Sequence, residues 1–132
     1  MRSKNLGKCF DASASPDKIA LIEPRDFENP RETTYAELDA ECDAVARGLV
    51  ARGYRPGARI GILSLNSREL LAAYFGIMRA GMVAVPISFK LPQKTIRHIA
   101  GDAELAAIFH DAERAGQCPE GPDPIGLDDP DV

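Results

Sequence analysis

Few residues in this chain have the type and spacing that chemistry requires. His98 and His110 are the only histidines, and standing twelve positions apart with no third donor near either they do not make a metal-ligand set. No metal site is expected. His98 stands beside Arg97 in a helical stretch and reads as solvated, while His110 ends a strand and reads as structural. Cys9, Cys42 and Cys118 are odd in number, far apart and without a C-x-x-C pair, which points to reduced thiols of a cytoplasmic protein rather than to disulfides or zinc. Asp128 and Asp129 are paired carboxylates in a Pro-rich tail, where solvation is expected, because acid-base work needs a positioned and partly desolvated group. Gly7-Lys8 is followed by Cys9, so the G-x-x-x-x-G-K-[ST] phosphate loop is missing, and neither Gly57 nor Gly61 opens a G-x-G-x-x-G fingerprint. The G-x-S-x-G elbow and H-E-x-x-H are absent too. No residue earns a catalytic role from its own pattern.

The elements that would have to position a site are easier to read. Lys18–Glu23 and Arg31–Thr34 read as two strands of a hairpin, with Glu28-Asn29-Pro30 as turn chemistry between them. Thr34-x-x-Glu37 is a capping box that opens a long helix, and Leu38, Cys42, Val45, Ala46, Leu49 and Val50 give it one apolar stripe up to a left-handed cap at Gly53. Arg59–Leu65 reads as a strand buried on both faces. Asn66 and Ser67 follow it, at a strand end and helix start where an anion can bind, although a plain N-cap accounts for them. Leu70, Leu71, Tyr74, Phe75 and Met78 are expected to form the inward face of a second helix ending at Gly81, and Met82–Ile87 is the next strand. A third helix from about Pro92 to Ala100, ended by Gly101, leads to a strand at Leu105–His110. From Gly116 onward the chain is acidic and rich in Pro and Gly, which reads as a loop or linker.

Helices alternating with apolar strands imply an α/β fold: a mostly parallel sheet flanked by helices, with an N-terminal β-hairpin. At 132 residues one core is expected. The formal charge of −4 is spread along the chain, with no basic cluster to bind a phosphate backbone, so nucleic acid is not an expected partner. The apolar stretch Ala80–Ile87 contains Gly81 and Pro86 and is far short of the roughly 18 residues of a membrane-spanning helix. Phe10 is followed by Asp11 and small polar residues, so no secretory signal is read.

Several blocks then occur in a telling order: Pro16-Asp17-Lys18-Ile19-Ala20, Thr34-Tyr35-Ala36-Glu37-Leu38, Arg52 to Ile60, Leu65-Asn66-Ser67, and Met78-Arg79-Ala80-Gly81 with Val85-Pro86. This collinear set, from about Ser15 to Asp111, resembles the opening of the adenylate-forming (AMP-binding) acyl-CoA synthetases. The resemblance implies an N-terminal fragment of an ATP-dependent, AMP-forming carboxylic acid-CoA ligase, with ATP, Mg and coenzyme A as cofactors of the full enzyme and none expected on this fragment. It implies a partial domain in three parts: an N-terminal segment 1–14, an α/β subdomain 15–115 and a linker 116–132.

Expected partners are the remainder of the ligase and a small carboxylic acid. The family's phosphate loop and its adenylation Lys do not occur in this stretch, so the fragment is expected to be inactive alone. Ser88 stands where the family commonly shows Asn, and Lys90 where Arg is often found. In the resembling enzymes that loop borders the coenzyme A entrance, which makes Lys90 the candidate contact for a coenzyme A phosphate, against a solvated Lys. Gly57, Gly81, Tyr35 and Leu38 read as structural. A surface left uncovered would favour a homo-oligomer. The alternative reading is a freestanding, noncatalytic α/β interaction module.

Overall fold

A computed structural model of the chain describes residues 4–24 and 28–128. β1 (Ile19–Glu23) and β2 (Arg31–Thr34) pair antiparallel as the expected hairpin, with a register shift between Ile19 and Leu21. Thr34 caps α1 (Tyr35–Ala51), its hydroxyl accepting from the Glu37 N–H. The Glu37 carboxylate accepts from that same hydroxyl at 3.1 Å, so the box closes on the side chain of Thr34. Gly53 follows the helix at φ +89°, where a Cβ would be strained.

β3 (Arg59–Leu63), β4 (Val83–Pro86), β5 (Ala107–His110) and β6 (Asp123–Gly126) form a second sheet in the order β4-β3-β5-β6, every pair parallel. α2 (Arg68–Arg79) joins β3 to β4, and α3 (Gln93–Asp102) joins β4 to β5. Strand order reverses at β3, so right-handed crossovers must put the two helices on opposite faces. The core follows that rule. Ile60, Ile62, Ala107 and Phe109 pack with Val45, Leu49, Ala73 and Ile77 under α1 and α2. Leu63 and Ile108 pack with Ile96 and Ala100 under α3.

Three local expectations are corrected. The buried face of α2 is Ala72, Ala73, Gly76 and Ile77, with Leu70, Leu71, Tyr74, Phe75 and Met78 only half-buried beside it. A Cβ on Gly76 would lie 2.6 Å from the Val45 Cβ and 2.8 Å from the Cys42 carbonyl oxygen, so α1 and α2 approach too closely for a larger residue on that line. At the end of α3, Gly101 is helical and the left-handed residue is Glu104, at φ +52°. The third correction concerns the tail. The stretch from Gly116 onward is not loop throughout, because Asp123–Gly126 is strand β6, buried at Ile125. It is tied down from outside the sheet by the Tyr54 hydroxyl, which donates to Asp123 at 2.7 Å; burial first, and then that bond, push the phenol up to about 12. Asp129 lies outside the described residues.

The first residues brace the helical face. Asn5 caps a short turn at Leu6–Lys8 that packs on α2, where Arg79 donates to the Gly7 carbonyl at 2.6 Å. The Arg79 side chain, 3% exposed, also holds Asp39 and Asp43 of α1 at 2.8 and 2.9 Å. Phe10 lies against Tyr35, Phe75 and the Arg79 guanidinium. Burial opposes that charge, but the two aspartates outweigh it and hold the guanidinium above its ordinary range.

Both edges of the parallel sheet carry proline on the outward side. Val83 and Ile87 donate inward to Ala58 and Ile62, and Asp123 and Leu127 donate inward to Ala106 and His110. Alternation then turns positions 84 and 86, and 124 and 126, outward. Pro86 and Pro124 occupy two of these and have no N–H to offer.

Candidate functional site

Because the strand order reverses at β3, the loops leaving β3 and β5 part from each other at the carboxyl end of the sheet, the place where open α/β sheets bind ligands. A crevice of about 910 Å³ opens there, between the β3–α2 loop, the segment after β5, the end of β1 and the residues after β6. Its floor is apolar, from Leu21, Leu71 and Leu127, and Ile22 and Leu65 stand 63% and 46% exposed on it.

Two ionic assemblies set its shape. Asp111 caps the turn after β5 by accepting from the Arg114 N–H at 3.0 Å, and its other oxygen accepts from the Leu65 N–H at 3.0 Å and the Arg114 guanidinium at 2.9 Å. One carboxylate thus clasps the two diverging loops. Burial works against its charge, yet the bonds from Leu65 and Arg114 outweigh burial and hold it below the usual carboxylate range. On the other wall, Arg31 of β2 binds Glu23 of β1 and, at 2.8 Å to each oxygen, Glu69 of α2. The hydrogen bonds from Arg31 pull the Glu69 carboxyl down to about 2 and also lower Glu23. The bond partners lift the Arg31 guanidinium well above its ordinary value, Glu69 first and Glu23 second.

The N-terminus of α2 points into this space but is already satisfied. Ser67 accepts from the Leu70 N–H at 3.1 Å, and Glu23 accepts from the Arg68 N–H at 2.9 Å. Ser67 therefore serves as the cap, as the simpler reading had it, with Asn66 exposed before it, and the Arg68 amide that a phosphate would need faces a carboxylate. Five carboxylates and one guanidinium, that of Arg68, line the crevice. No group of three His, Cys, Asp or Glu among the described residues is placed to hold a metal ion.

Lys90 is elsewhere. It is exposed in the turn after β4, its N–H bonded to Ser88 Oγ at 3.3 Å, and it does not line the crevice. Its ammonium makes no ion pair among the described residues. Phe89 beside it stacks under the Arg114 guanidinium at 4.1 Å. His98 is exposed on α3, and His110 Nδ1 lies 2.9 Å from the Asp111 carbonyl oxygen, so neither histidine joins a cluster. Cys42 is on the buried face of α1, with burial pushing its thiol up to about 11, while Cys9 is exposed. Sequence reasoning missed Asp111 and Arg31. Asp111-x-x-Arg114 directly after a strand is a recognisable cap signal, whereas nothing local marks Arg31 as the partner of a residue in α2.

A parallel sheet with a crevice at its switch point places this chain among the open α/β sheets that take ligands there, and comparison with known proteins narrows the class. The model of the AMP-binding enzyme family matches residues 10–128, and the chain belongs to that family. It is 39% identical over 129 residues to coprinoferrin synthetase of Coprinopsis cinerea, a match covering 92% of this chain and 5% of that protein. It is 26% identical over 102 residues to a medium/long-chain-fatty-acid–CoA ligase of Mycobacterium marinum, covering 77% of this chain and 18% of the ligase. Among solved structures, the N-terminal domain of FACL13 from Mycobacterium tuberculosis superposes with a TM-score of 0.82 at 29% identity, over 94% of this chain and 33% of that one. The chain thus spans a third or less of each of these proteins. It is the N-terminal part of an adenylate-forming enzyme domain, as the ordered motifs implied. No helix among the described residues is long and apolar enough to cross a membrane.

Proposed function

We propose that this chain forms the N-terminal part of an AMP-forming carboxylic acid-CoA ligase, which makes an acyl-adenylate from ATP and an acid and then passes the acyl group to coenzyme A. The observation that carries the reading is the family match over 10–128 combined with coverage of only a third of a solved N-terminal domain. The ligase from Mycobacterium marinum supports the choice of coenzyme A. A second reading, in which the stretch belongs to a large multi-unit synthetase and another thiol accepts the acyl group, is favoured by the 39% identity to coprinoferrin synthetase.

On this proposal ATP is held by the remainder of the enzyme, since the crevice residues here are mostly anionic and the amides at the start of α2 are occupied, and magnesium goes with its phosphates. The chain alone is inactive. Its charges at Asp111, Arg31 and Glu69 hold loops, and a reaction that depends on positioned charge loses several kcal/mol, or orders of magnitude in rate, without its main donors. Lys90 is proposed as a flexible point charge toward a coenzyme A phosphate, supported by its exposure and its place in the turn after β4.

Pyrophosphate exchange with ATP and a panel of carboxylic acids tests the assignment. The isolated chain is expected to show none, and a full-length enzyme carrying it at its N-terminal end is expected to exchange. Turnover by the chain alone overturns the inactivity. In that full-length enzyme, Lys90→Ala is expected to raise the KM for coenzyme A several-fold at low ionic strength and to leave exchange untouched, because an exposed phosphate contact is weak and screened by salt. An unchanged KM returns Lys90 to the solvated surface.

A further inference from the structure

We propose that the outward face of α3 is a self-complementary dimer surface, occupied by α3 of a second copy of this chain laid antiparallel to it. The inference goes beyond the proposed reaction and uses no part of the crevice.

The observation that carries it is the order of charge along the helix. A helix is stabilised by acids in its first turn and bases in its last, because its N-terminus is the positive end of its dipole. α2 obeys this, with Glu69 in the first turn and Arg79 in the last. α3 reverses it at both ends. Its first turn carries Lys94 and no acid, its last turn carries Asp102 and no base, and no side chain caps its start at Pro92. Just past the helix, Glu104 stands at φ +52°, a conformation that Gly or Asn adopts with less strain.

Within the chain nothing offsets this arrangement. Lys94, Arg97 and Asp102 are exposed and make no ion pair among the described residues, and Glu104 has only a 3.9 Å contact with Arg59. No Asp or Glu occurs between Glu69 and Asp102, so that stretch offers the two bases no acid of its own. An antiparallel copy supplies the missing partners. Its Asp102 and Glu104 come opposite Lys94 and Arg97, the converse holds at the other end, and the two dipoles oppose each other across a two-fold axis near His98. The charges beside the face keep the same division: Lys90 precedes the basic end, and Glu120 lies across a groove of about 730 Å³ that Arg97 and Glu104 line. Arg59 lies beside Glu104, which leaves Asp102 as the carboxylate most open to a partner. An anionic bilayer or an acidic protein would match only the first half of α3 and be repelled by the second. Ile96 and Ala100 are buried on the inward side, so the pairing is polar.

One helix face offers less than the roughly 800 Å² per partner of a standard interface, so a weak dimer is expected, with a dissociation constant on the order of 100 µM. Sedimentation of the purified chain up to about 1 mM reads it, and the constant should rise about ten-fold from low salt to roughly 0.5 M. Lys94→Glu with Arg97→Glu makes the face wholly acidic, and Asp102→Lys with Glu104→Lys makes it wholly basic. Each double variant is expected to be monomeric, and an equimolar mixture of the two should dimerise at least as tightly as the parent. Both place charge as the dipole favours, so neither should melt below the parent, which separates lost pairing from lost folding. A parent chain that stays monomeric, a dimer that either double variant keeps, or a mixture that stays monomeric overturns the proposal. So does a dimer that Ile22→Asp dissolves and Lys94→Glu with Arg97→Glu does not, since the copies would then meet at the crevice. None of these readouts involves ATP, so they fail separately from the exchange assay.

Discussion

The two faces of the parallel sheet solve the same covering problem with different means. One face carries two helices, pressed together along Cys42, Val45 and Gly76 and clamped from outside by Arg79 and the turn at Leu6–Lys8. The other is covered mainly by α3, ten residues long, whose Gly101 faces open space. The difference teaches that glycine content says little by itself. Gly76 is a requirement of contact and Gly101 is a conformational cost. Side-chain size is limiting on the first face, and helix propensity should dominate on the second.

The largest expected effect comes from breaking the tight face. Gly76→Val would place a branched side chain on Val45 and on the backbone of α1, and a loss of about 3 kcal/mol or more is expected, read as the shift of a urea unfolding midpoint. A loss below about 1 kcal/mol would show that α1 and α2 can part without penalty.

Next in size is the ionic wall of the crevice. The Glu69 carboxyl is held at about 2, below an ordinary 4.5, so its contribution is complete above about pH 5 and lost as the pH falls toward 2. Because Glu69 is partly exposed, about 1–2 kcal/mol of that difference is expected to survive solvent screening. Stability measured from pH 7 down to pH 3 should therefore fall less steeply in Glu69→Gln than in the parent chain. Parallel profiles would mean that Arg31 is satisfied by Glu23 alone.

Replacing the cap of α2, Ser67→Ala, should cost about 1 kcal/mol by freeing the Leu70 N–H, checked by thermal melting. The smallest effect sharpens the contrast from the other side. Gly101→Ala meets nothing within 4 Å and is expected to stabilise the chain by about 0.5–1 kcal/mol. Destabilisation there would mean that α3 is packed as tightly as α2.

How far the sequence could be read follows from the same contrast. The stripe on α1 was legible at Leu38, Cys42, Val45 and Leu49 because large apolar residues mark it, although Val50 proved exposed. On α2 the large residues misled. Close approach of two helices selects Ala72, Ala73 and Gly76 for the deepest positions and moves Leu71, Tyr74 and Phe75 to the flanks, so a stripe drawn through bulk is rotated. Strand β6 was illegible for a different reason. Asp123-Pro124-Ile125-Gly126 has one apolar residue between two punctuating ones, and only pairing with β5 makes it a strand. The crevice joins four separate stretches of chain, and no local spacing reports the Asp111 contact with Leu65 or the Arg31 contact with Glu69.

The strand order has a consequence in time. β3 is an inner strand of its sheet, yet it is synthesised about forty-five residues before its partner β5, an interval of about two to nine seconds at ribosomal rates of roughly 5–20 residues per second. During that interval β3, α2 and β4 can close as a unit, leaving Ile60–Leu63 with one flank unpaired. The nascent chain thus passes through a stage with an adhesive edge at what will become an inner strand of the sheet. Ribosome-arrested chains ending before Ala107 and followed by a flexible spacer long enough to clear the exit tunnel should cross-link to nascent-chain chaperones at residues 60–63, and chains ending past Gly126 on the same spacer should not; equal cross-linking of the two would place the closure of β3 elsewhere in synthesis.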